Sequence, residues 1–231
     1  MIKNVIKMTG IKKVYHVGDE DLEVLKVDFE LNKEFVSIMG ESGSGKSTLM
    51  NIIGMLDNPT GGTYFFNGID ISQATDDEQA LLRRENIGFI FQSYNLLPKT
   101  PAIKQVMLPL IYQVSAKLRK QLAIDALIKV GLGDKIYSLP NEMSGGQQQR
   151  VAIARAIVTD PLLILGDEPT GALDSKTGND VMEILAQLHK EKTILIITHS
   201  AEVNKYAKRH IFMKDGVISH ATMKLDTSVS V

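Results

Sequence analysis

Two short segments of this chain have the makings of phosphate cradles, and a third has the makings of an acid cluster beside them. Gly40-Glu41-Ser42-Gly43-Ser44-Gly45-Lys46-Ser47-Thr48 fits the pattern G-x-x-x-x-G-K-[ST]. Its glycines let the backbone curl so that successive N–H groups face phosphate oxygens. Lys46 brings a positive charge to the terminal phosphates, and the Ser47 hydroxyl can ligate magnesium. Farther along, Ser144-Gly145-Gly146-Gln147 opens the apolar-periodic run Gln148 to Val158. A serine and two glycines before a helix aim free N–H groups and the positive helix end at an anion. Between these motifs and the C-terminus, Leu162-Leu163-Ile164-Leu165-Gly166 runs straight into Asp167-Glu168. Asp167 could hold a metal ion, directly or through water, and Glu168 could polarise an attacking water near a γ-phosphate.

These groups must be positioned by strands and helices, and the hydrophobic pattern indicates which. Phe35 to Met39 reads as a buried strand feeding the glycine-rich loop, with a helix from about Lys46 to Leu56 behind it. That strand, loop and helix context is what the first motif requires. Ile2 to Met8, Leu22 to Leu31 and Thr63 to Phe66 read as further strands, the last bracketed by Gly61-Gly62 and Asn67-Gly68. The middle, about 92 to 140, changes character: Pro98, Pro101 and Pro109 break its start, and Ala116 to Val130 has helical spacing. The helix Gln147 to Val158, strand Leu162 to Leu165, helix Thr177 to Lys190 and strand Thr193 to Thr198 follow. Such alternation predicts a mostly parallel sheet flanked by helices, an α/β fold in which ligands sit at the strands' C-terminal ends. Ile211 to Lys214 and Val217 to His220 flank Asp215-Gly216, a two-residue hairpin signal.

Composition narrows the partners. The chain has 231 residues, a formal net charge of −1 and no cysteine. Near-zero charge offers no long-range field for nucleic acid, and the absence of thiols removes disulfides, thiolate metal sites and cysteine nucleophiles. The longest apolar runs fall far short of the ~18 residues that cross a bilayer. Met1 to Gly10 lacks the unbroken apolar core of a secretion signal, so a cytoplasmic location is expected.

The motif set resembles the ATPase subunits of ABC transporters from about Tyr15 to Gly216. Ser144-Gly145-Gly146-Gln147 is similar to that family's signature, and Asp167-Glu168-Pro169-Thr170 followed by Ala172-Leu173-Asp174-Ser175 is similar to its Walker B and D-loop. Gln92 matches the Q-loop glutamine, His199 the switch histidine, and Tyr15 the aromatic that stacks on adenine. The resemblance implies an α/β P-loop NTPase core with a mostly parallel sheet, an N-terminal antiparallel β subdomain and an inserted helical subdomain at about 92–140. One ATPase domain would span 1–224, with a tail at 225–231. It implies ATP and Mg²⁺ as cofactors. Glu168, His199, Lys46 and Gln92 would be catalytic. Tyr15, Gly40 to Thr48, Gln92, Ser144 to Gln147 and Asp174 would bind nucleotide, and Ser47, Gln92 and Asp167 the metal. Two subunits would meet head to tail, each ATP lying between the phosphate loop of one and the signature of the other.

The finer resemblance, carried by Ile87 to Pro98 and Leu108-Pro109-Leu110, is to the lipoprotein-release, macrolide-export and antimicrobial-peptide-resistance branch. It implies a separate integral-membrane permease docking at Tyr94 to Tyr112, and hence a peripheral location at the inner face of the membrane. A related ATPase that regulates cell-wall hydrolases remains an alternative. Soluble ABC ATPases of repair or translation usually carry paired units or a coiled-coil insertion, which this sequence lacks, and a metabolic kinase would not need Ser144 to Gln147. Met143, Gly166 and Glu41 depart from the family's usual residues, and Lys26 to Phe35 is about two residues short and lacks the usual glycine before Glu34-Phe35. The strand register or turn there is therefore an open expectation.

Overall fold

A computed structural model describes residues 4–18 and 20–219. The tail expected at 225–231, His220 and the start of the strand read at Ile2 lie outside the described residues. Two sheets organise the rest. The first is antiparallel, in the order β2-β1-β4-β5, from β1 (Ile6–Val17), β2 (Glu20–Leu31), β4 (Gly61–Phe66) and β5 (Ile69–Asp70). The second has six strands in the order β10-β9-β3-β8-β7-β6. Its members are β3 (Phe35–Gly40), β6 (Ile87–Phe91), β7 (Leu163–Asp167), β8 (Thr193–Ile197), β9 (Arg209–Lys214) and β10 (Val217–Ser219). All pairings in it are parallel except the β9–β10 hairpin, whose turn residues Asp215 and Gly216 both take positive φ, as the two-residue hairpin signal requires.

The inner strands β3, β7 and β8 are buried on both faces, which is why they read as unbroken apolar runs. Alternate residues serve different cores. Val36, Ile38, Leu163, Leu165, Leu195 and Ile197 join the first sheet and α1 (Lys46–Ile53). Phe35, Ile164, Ile194 and Ile196 join α5 (Gly145–Ile157), α6 (Ser175–Leu188) and the helices between β6 and α5. Those are α3 (Ala102–Met107) and α4 (Ala116–Lys129), which follow β6 with no strand intervening. No helix among the described residues is long and apolar enough to cross a membrane.

The structure adds a helix that the hydrophobic pattern did not announce. Helix α2 (Asp76–Asn86) is mostly charged and buries little beyond Gln79, so its stability rests on its start. Thr75 accepts from the Glu78 backbone while Glu78 accepts from the Thr75 N–H, a reciprocal capping box. The shortened segment before β3 is also resolved. The end of β2 pairs Leu31 with Ile6 and Phe29 with Met8, a register shift follows before Val27 meets Ile11, and the turn into β3 is closed by a side chain. Glu34 accepts from the Asn32 N–H at 3.1 Å and from Arg209 at 2.8 Å, and the same guanidinium donates to the Glu30 carbonyl at 2.6 Å.

Candidate functional site

Strand register brings the catalytic candidates to one rim. Phe91 pairs with Asp167, Asp167 with Ile197, and Ile197 with Ile38. The residues that follow these positions, Gln92, Glu168, His199 and the loop from Gly40, therefore emerge together at the C-terminal ends of adjacent parallel strands. They enclose a cleft of about 670 Å³ whose lining includes Ser42 to Thr48, Gln92, Asp167, Glu168 and His199.

The glycine-rich loop is shaped for an anion. Gly45 has φ 93°, and a Cβ there would stand 3.0 Å from the Val24 carbonyl oxygen, so a side chain is strained on both counts. Lys46, buried at the first turn of α1, folds back: its Nζ donates to the carbonyls of Gly40 at 2.8 Å and Glu41 at 2.6 Å. Burial pushes its pKa down, and the charges of Glu168 and Asp167 pull it back up. It has only neutral hydrogen-bond partners here, so its charge is not cancelled by a contact carboxylate. Glu41 is exposed and meets Lys46 only through its backbone oxygen.

The acids stand where charge is costly. Asp167 ends β7, and burial raises its pKa against the pull of Lys46. Glu168 sits at φ 47°, an unusual conformation for a side-chain-bearing residue, pinned by its N–H donating to the Ile197 carbonyl at 3.0 Å. Its Oε1 is sealed from solvent with His199 Nε2 3.5 Å away, and the His199 backbone also supports the carboxylate. Burial pushes the Glu168 carboxyl up, opposed by His199 and Lys46. Such a carboxylate is a stronger proton acceptor than one in water, which suits a group meant to orient and polarise a water molecule. Gln92 lies close to the acid turn: a Cβ on Gly171 would come within 2.7 Å of its Nε2.

The second cradle does not join this cleft. Ser144, Gly145, Gly146, Gln147 and Asp174 are absent from its lining. Ser144 caps α5, its Oγ accepting from the Gln147 N–H at 3.3 Å while Gln147 Oε1 accepts from the Ser144 N–H at 3.0 Å. The hydroxyl keeps its proton for an outside acceptor. Gly146 has to be glycine on packing grounds, since a Cβ would stand 2.2 Å from Thr177 Cγ2. Thr177 in turn is held by Asp174, the cap of α6, through 3.0 and 2.7 Å bonds. Met143 is buried in the core that supports this cap. Tyr15, at the end of β1, also lies outside the cleft lining, is 40% exposed and donates to Asp57.

A family model described as "ABC transporter" matches residues 24–171, which include the phosphate loop, the signature and the acids. The chain belongs to the ABC transporter family. This cassette is 50% identical over 221 residues to an ABC transporter ATP-binding protein of Bacillus subtilis, YknY, covering 94% of the chain and 96% of that protein. It is 49% identical over 225 residues to the macrolide export ATP-binding/permease protein MacB of Brucella melitensis. The match takes 96% of this chain but 35% of that longer protein. Among solved structures, the dimeric post-hydrolysis state of the ATP-binding cassette MJ0796, bound to ADP and Pi, superposes with a TM-score of 0.83. It is 44% identical, covering 93% of this chain and 96% of that one. The cassette is therefore a nucleotide-binding ATPase of the transporter type, with the α/β architecture expected.

Three residues that brace the segments around the candidate site carry little signal in the sequence. Gln149, fully buried on α5, donates to the Pro169 carbonyl at 2.5 Å and the Phe91 carbonyl at 3.4 Å, tying the signature helix to the turns that carry Glu168 and Gln92. A polar side chain on the apolar face of a helix was its only signal. Arg155 donates to the carbonyls of Tyr94 and Asn95, two consecutive non-glycine residues at positive φ. Asp57 holds Tyr15, across a separation that sequence spacing does not reveal.

Proposed function

We propose that the cassette hydrolyses ATP at composite sites formed by two copies and uses the closure of that dimer to drive a membrane permease. The observation that carries this reading is the separation of its two phosphate cradles. The cleft gathers Lys46, Ser47, Gln92, Asp167, Glu168 and His199, while the Ser144 cap faces elsewhere, so one copy alone holds two halves of different sites. Dimeric structures of the related cassette MJ0796, one of them bound to ADP and Pi, support assembly from two copies.

Within a site, the N–H groups of Gly40 to Thr48 and the Lys46 charge bind the phosphates, and Tyr15 packs on the adenine. Glu168 orients the attacking water and accepts its proton, and His199 holds the γ-phosphate side of the same water. Little covalent chemistry falls to the protein, because phosphoryl transfer is accelerated mainly by positioning and charge stabilisation. Ser144, Gly145, Gly146 and Gln147 of the second copy bond the γ-phosphate while it is attached, with Asp174 at the seam. Mg²⁺ would be held by Ser47 and Asp167 with Gln92; the donors are all oxygens, which suits a hard cation completed by phosphate and water. The ion would neutralise phosphate charge, and its own charge would favour the ionised form of Asp167, which burial opposes.

The permease reading rests on a groove beside the Gln92 segment. About 450 Å³ in volume, it is lined by Phe89, Phe91, Asn95 and Pro109 together with Arg83 and Arg84 of α2. Aromatic rings within a basic rim suit an amphipathic helix from a partner. MacB proteins carry ATP-binding and permease parts in one polypeptide, which favours export or extraction of a peptide, lipoprotein or drug-like molecule and a location at the inner membrane face. On this reading residues 1–224 form one ATPase domain, with about 92–140 as its helical subdomain. Affinity capture of the full chain as Glu168→Gln with ATP, from detergent-solubilised membranes, tests the partner: recovery of an integral-membrane permease is expected, and recovery of soluble partners alone refutes it.

A further inference from the structure

The end of β1 is buttoned to the loop behind the phosphate-binding helix by a small, partly buried charge network. Lys13 is 8% exposed, and its Nζ donates to Asp57 Oδ1 at 2.6 Å and to the Asn58 carbonyl at 2.7 Å. Asp57 Oδ1 also accepts from the Asn58 N–H at 2.8 Å, and its other oxygen accepts from the Tyr15 hydroxyl at 2.9 Å. The Lys13 ammonium stands over the Tyr15 ring, 4.9 Å from its centroid. The connection continues on both sides. Thr60 accepts from the Val14 N–H at 3.2 Å and donates to the Lys12 carbonyl at 3.1 Å, and Gln79 of α2 donates to Asn58 Oδ1 at 2.8 Å.

Each contact limits how Tyr15 can move. An exposed tyrosine at a strand end rotates freely about two side-chain torsions, and a base stacking on it must first stop that motion. Here the hydroxyl is fixed by an ionised acceptor, and the cation over the ring is itself fixed by the same carboxylate. A charge-assisted hydrogen bond is roughly twice as strong as a neutral one, and the ring–cation contact adds attraction from the ring quadrupole. Burial pushes the Asp57 carboxyl up, but its bonds from Lys13 and Tyr15 outweigh that and hold it below the usual carboxylate range, so it stays an acceptor at neutral pH.

We propose that Asp57, locked by Lys13, is a positioning residue for base binding: it fixes the Tyr15 ring in the orientation that receives adenine. This rests on Tyr15 being the stacking residue. Asp57 lies in the loop that leaves α1, beyond the Gly54 cap, and the first turn of α1 carries Lys46. The clamp thus references the base-binding ring to the same helix that holds the phosphates, setting the span between the two ends of the nucleotide.

Dissociation constants of the full chain for ATP and for tripolyphosphate, each with Mg²⁺, test the idea. Tripolyphosphate samples the phosphate loop without the base. Tyr15→Phe and Asp57→Ala are each expected to weaken ATP about 3- to 10-fold, the range of one hydrogen bond, with Asp57→Asn intermediate because it keeps one acceptor. Tripolyphosphate binding should stay unchanged, and adding Asp57→Ala to Tyr15→Phe should cost little more than either alone. Tyr15→Ala separates the two layers. If it weakens ATP while Tyr15→Phe and Asp57→Ala do not, stacking stands and the clamp is refuted. Unchanged ATP affinity in Tyr15→Ala removes stacking and the clamp together. Equal loss of ATP and tripolyphosphate in Asp57→Ala means that Asp57 supports the loop fold, which also overturns the proposal.

Discussion

Replacing Glu168 by glutamine should make the apo cassette more stable and its turnover much slower, a combination that structural damage cannot produce. The side chain is 20% exposed, its Oε1 is sealed from solvent, and burial raises its pKa against the pull of His199. Taking a polar group out of water costs about 1–3 kcal/mol, and a charged one more. His199 and Lys46 offset part of this, so we take the low end, about 1 kcal/mol, for the relief on neutralisation. For a chain of this size that raises the melting temperature by about 2–4 °C. The sign with pH follows from linkage. A carboxyl whose folded pKa lies above its unfolded value destabilises the fold above that folded pKa, and the penalty vanishes as pH falls below the unfolded value. The advantage of Glu168→Gln over wild type should therefore shrink as pH drops through the carboxylate range. Turnover should fall about 100-fold or more, the scale of a lost general base, equivalent to about 2.7 kcal/mol in the barrier. Phosphate release under saturating ATP and thermal melting without nucleotide measure the two effects on one preparation. Turnover within about 10-fold of wild type refutes the base assignment, and a fall in melting temperature alongside lost turnover refutes the burial argument.

Gly146→Ala places a methyl 2.2 Å from Thr177 Cγ2 and should lower unfolding free energy in denaturant by about 1–3 kcal/mol, with Thr177→Ser restoring most of it by deleting that methyl. Gln149→Leu removes the donors to the Pro169 and Phe91 carbonyls together with the unpaired Oε1 of the same amide. These stability effects oppose each other, at about 1–3 kcal/mol each, so melting should move little. Turnover should fall about 10-fold, because the turn that carries Glu168 loses its brace; ATP affinity, measured by titration, should hold.

How much was visible beforehand depended on whether a feature is local. The glycine-rich loop, the signature cap and the acid pair are contiguous, and β3, β7 and β8 are apolar runs because both their faces are buried. Helix α2 is hard to read from sequence because its residues are mostly charged and its one clear signal, Thr75 with Glu78, is a capping box with no apolar stripe behind it. The run of β1 on to Val17 is hard to read from sequence because register shifts in its pairing with β2, between Met8 and Ile11 and between Lys13 and Val14, interrupt the alternation. The closed turn at Glu34 needs Arg209, and the seat of Tyr15 needs Asp57; both are partners that only the folded chain brings near. Gln149 is harder still to read, since its meaning lies in two carbonyls far apart in the chain, Phe91 at the end of β6 and Pro169 in the turn after β7.

The central claim is that each catalytic cleft is completed by the signature of another copy. Mixing two variants that are each inactive tests it most directly. Ser144→Arg spoils the cap presented to a partner, and Glu168→Gln spoils the cleft, while both leave their own phosphate loop intact. In a mixed dimer, the cleft of the Ser144→Arg copy meets the unaltered signature of the Glu168→Gln copy. With half of the dimers mixed and one of two sites whole in each, hydrolysis should recover to as much as about a quarter of wild type. Recovery on mixing is what composite sites predict. Two inactive variants that stay inactive together, while still associating in ATP, would contradict the account.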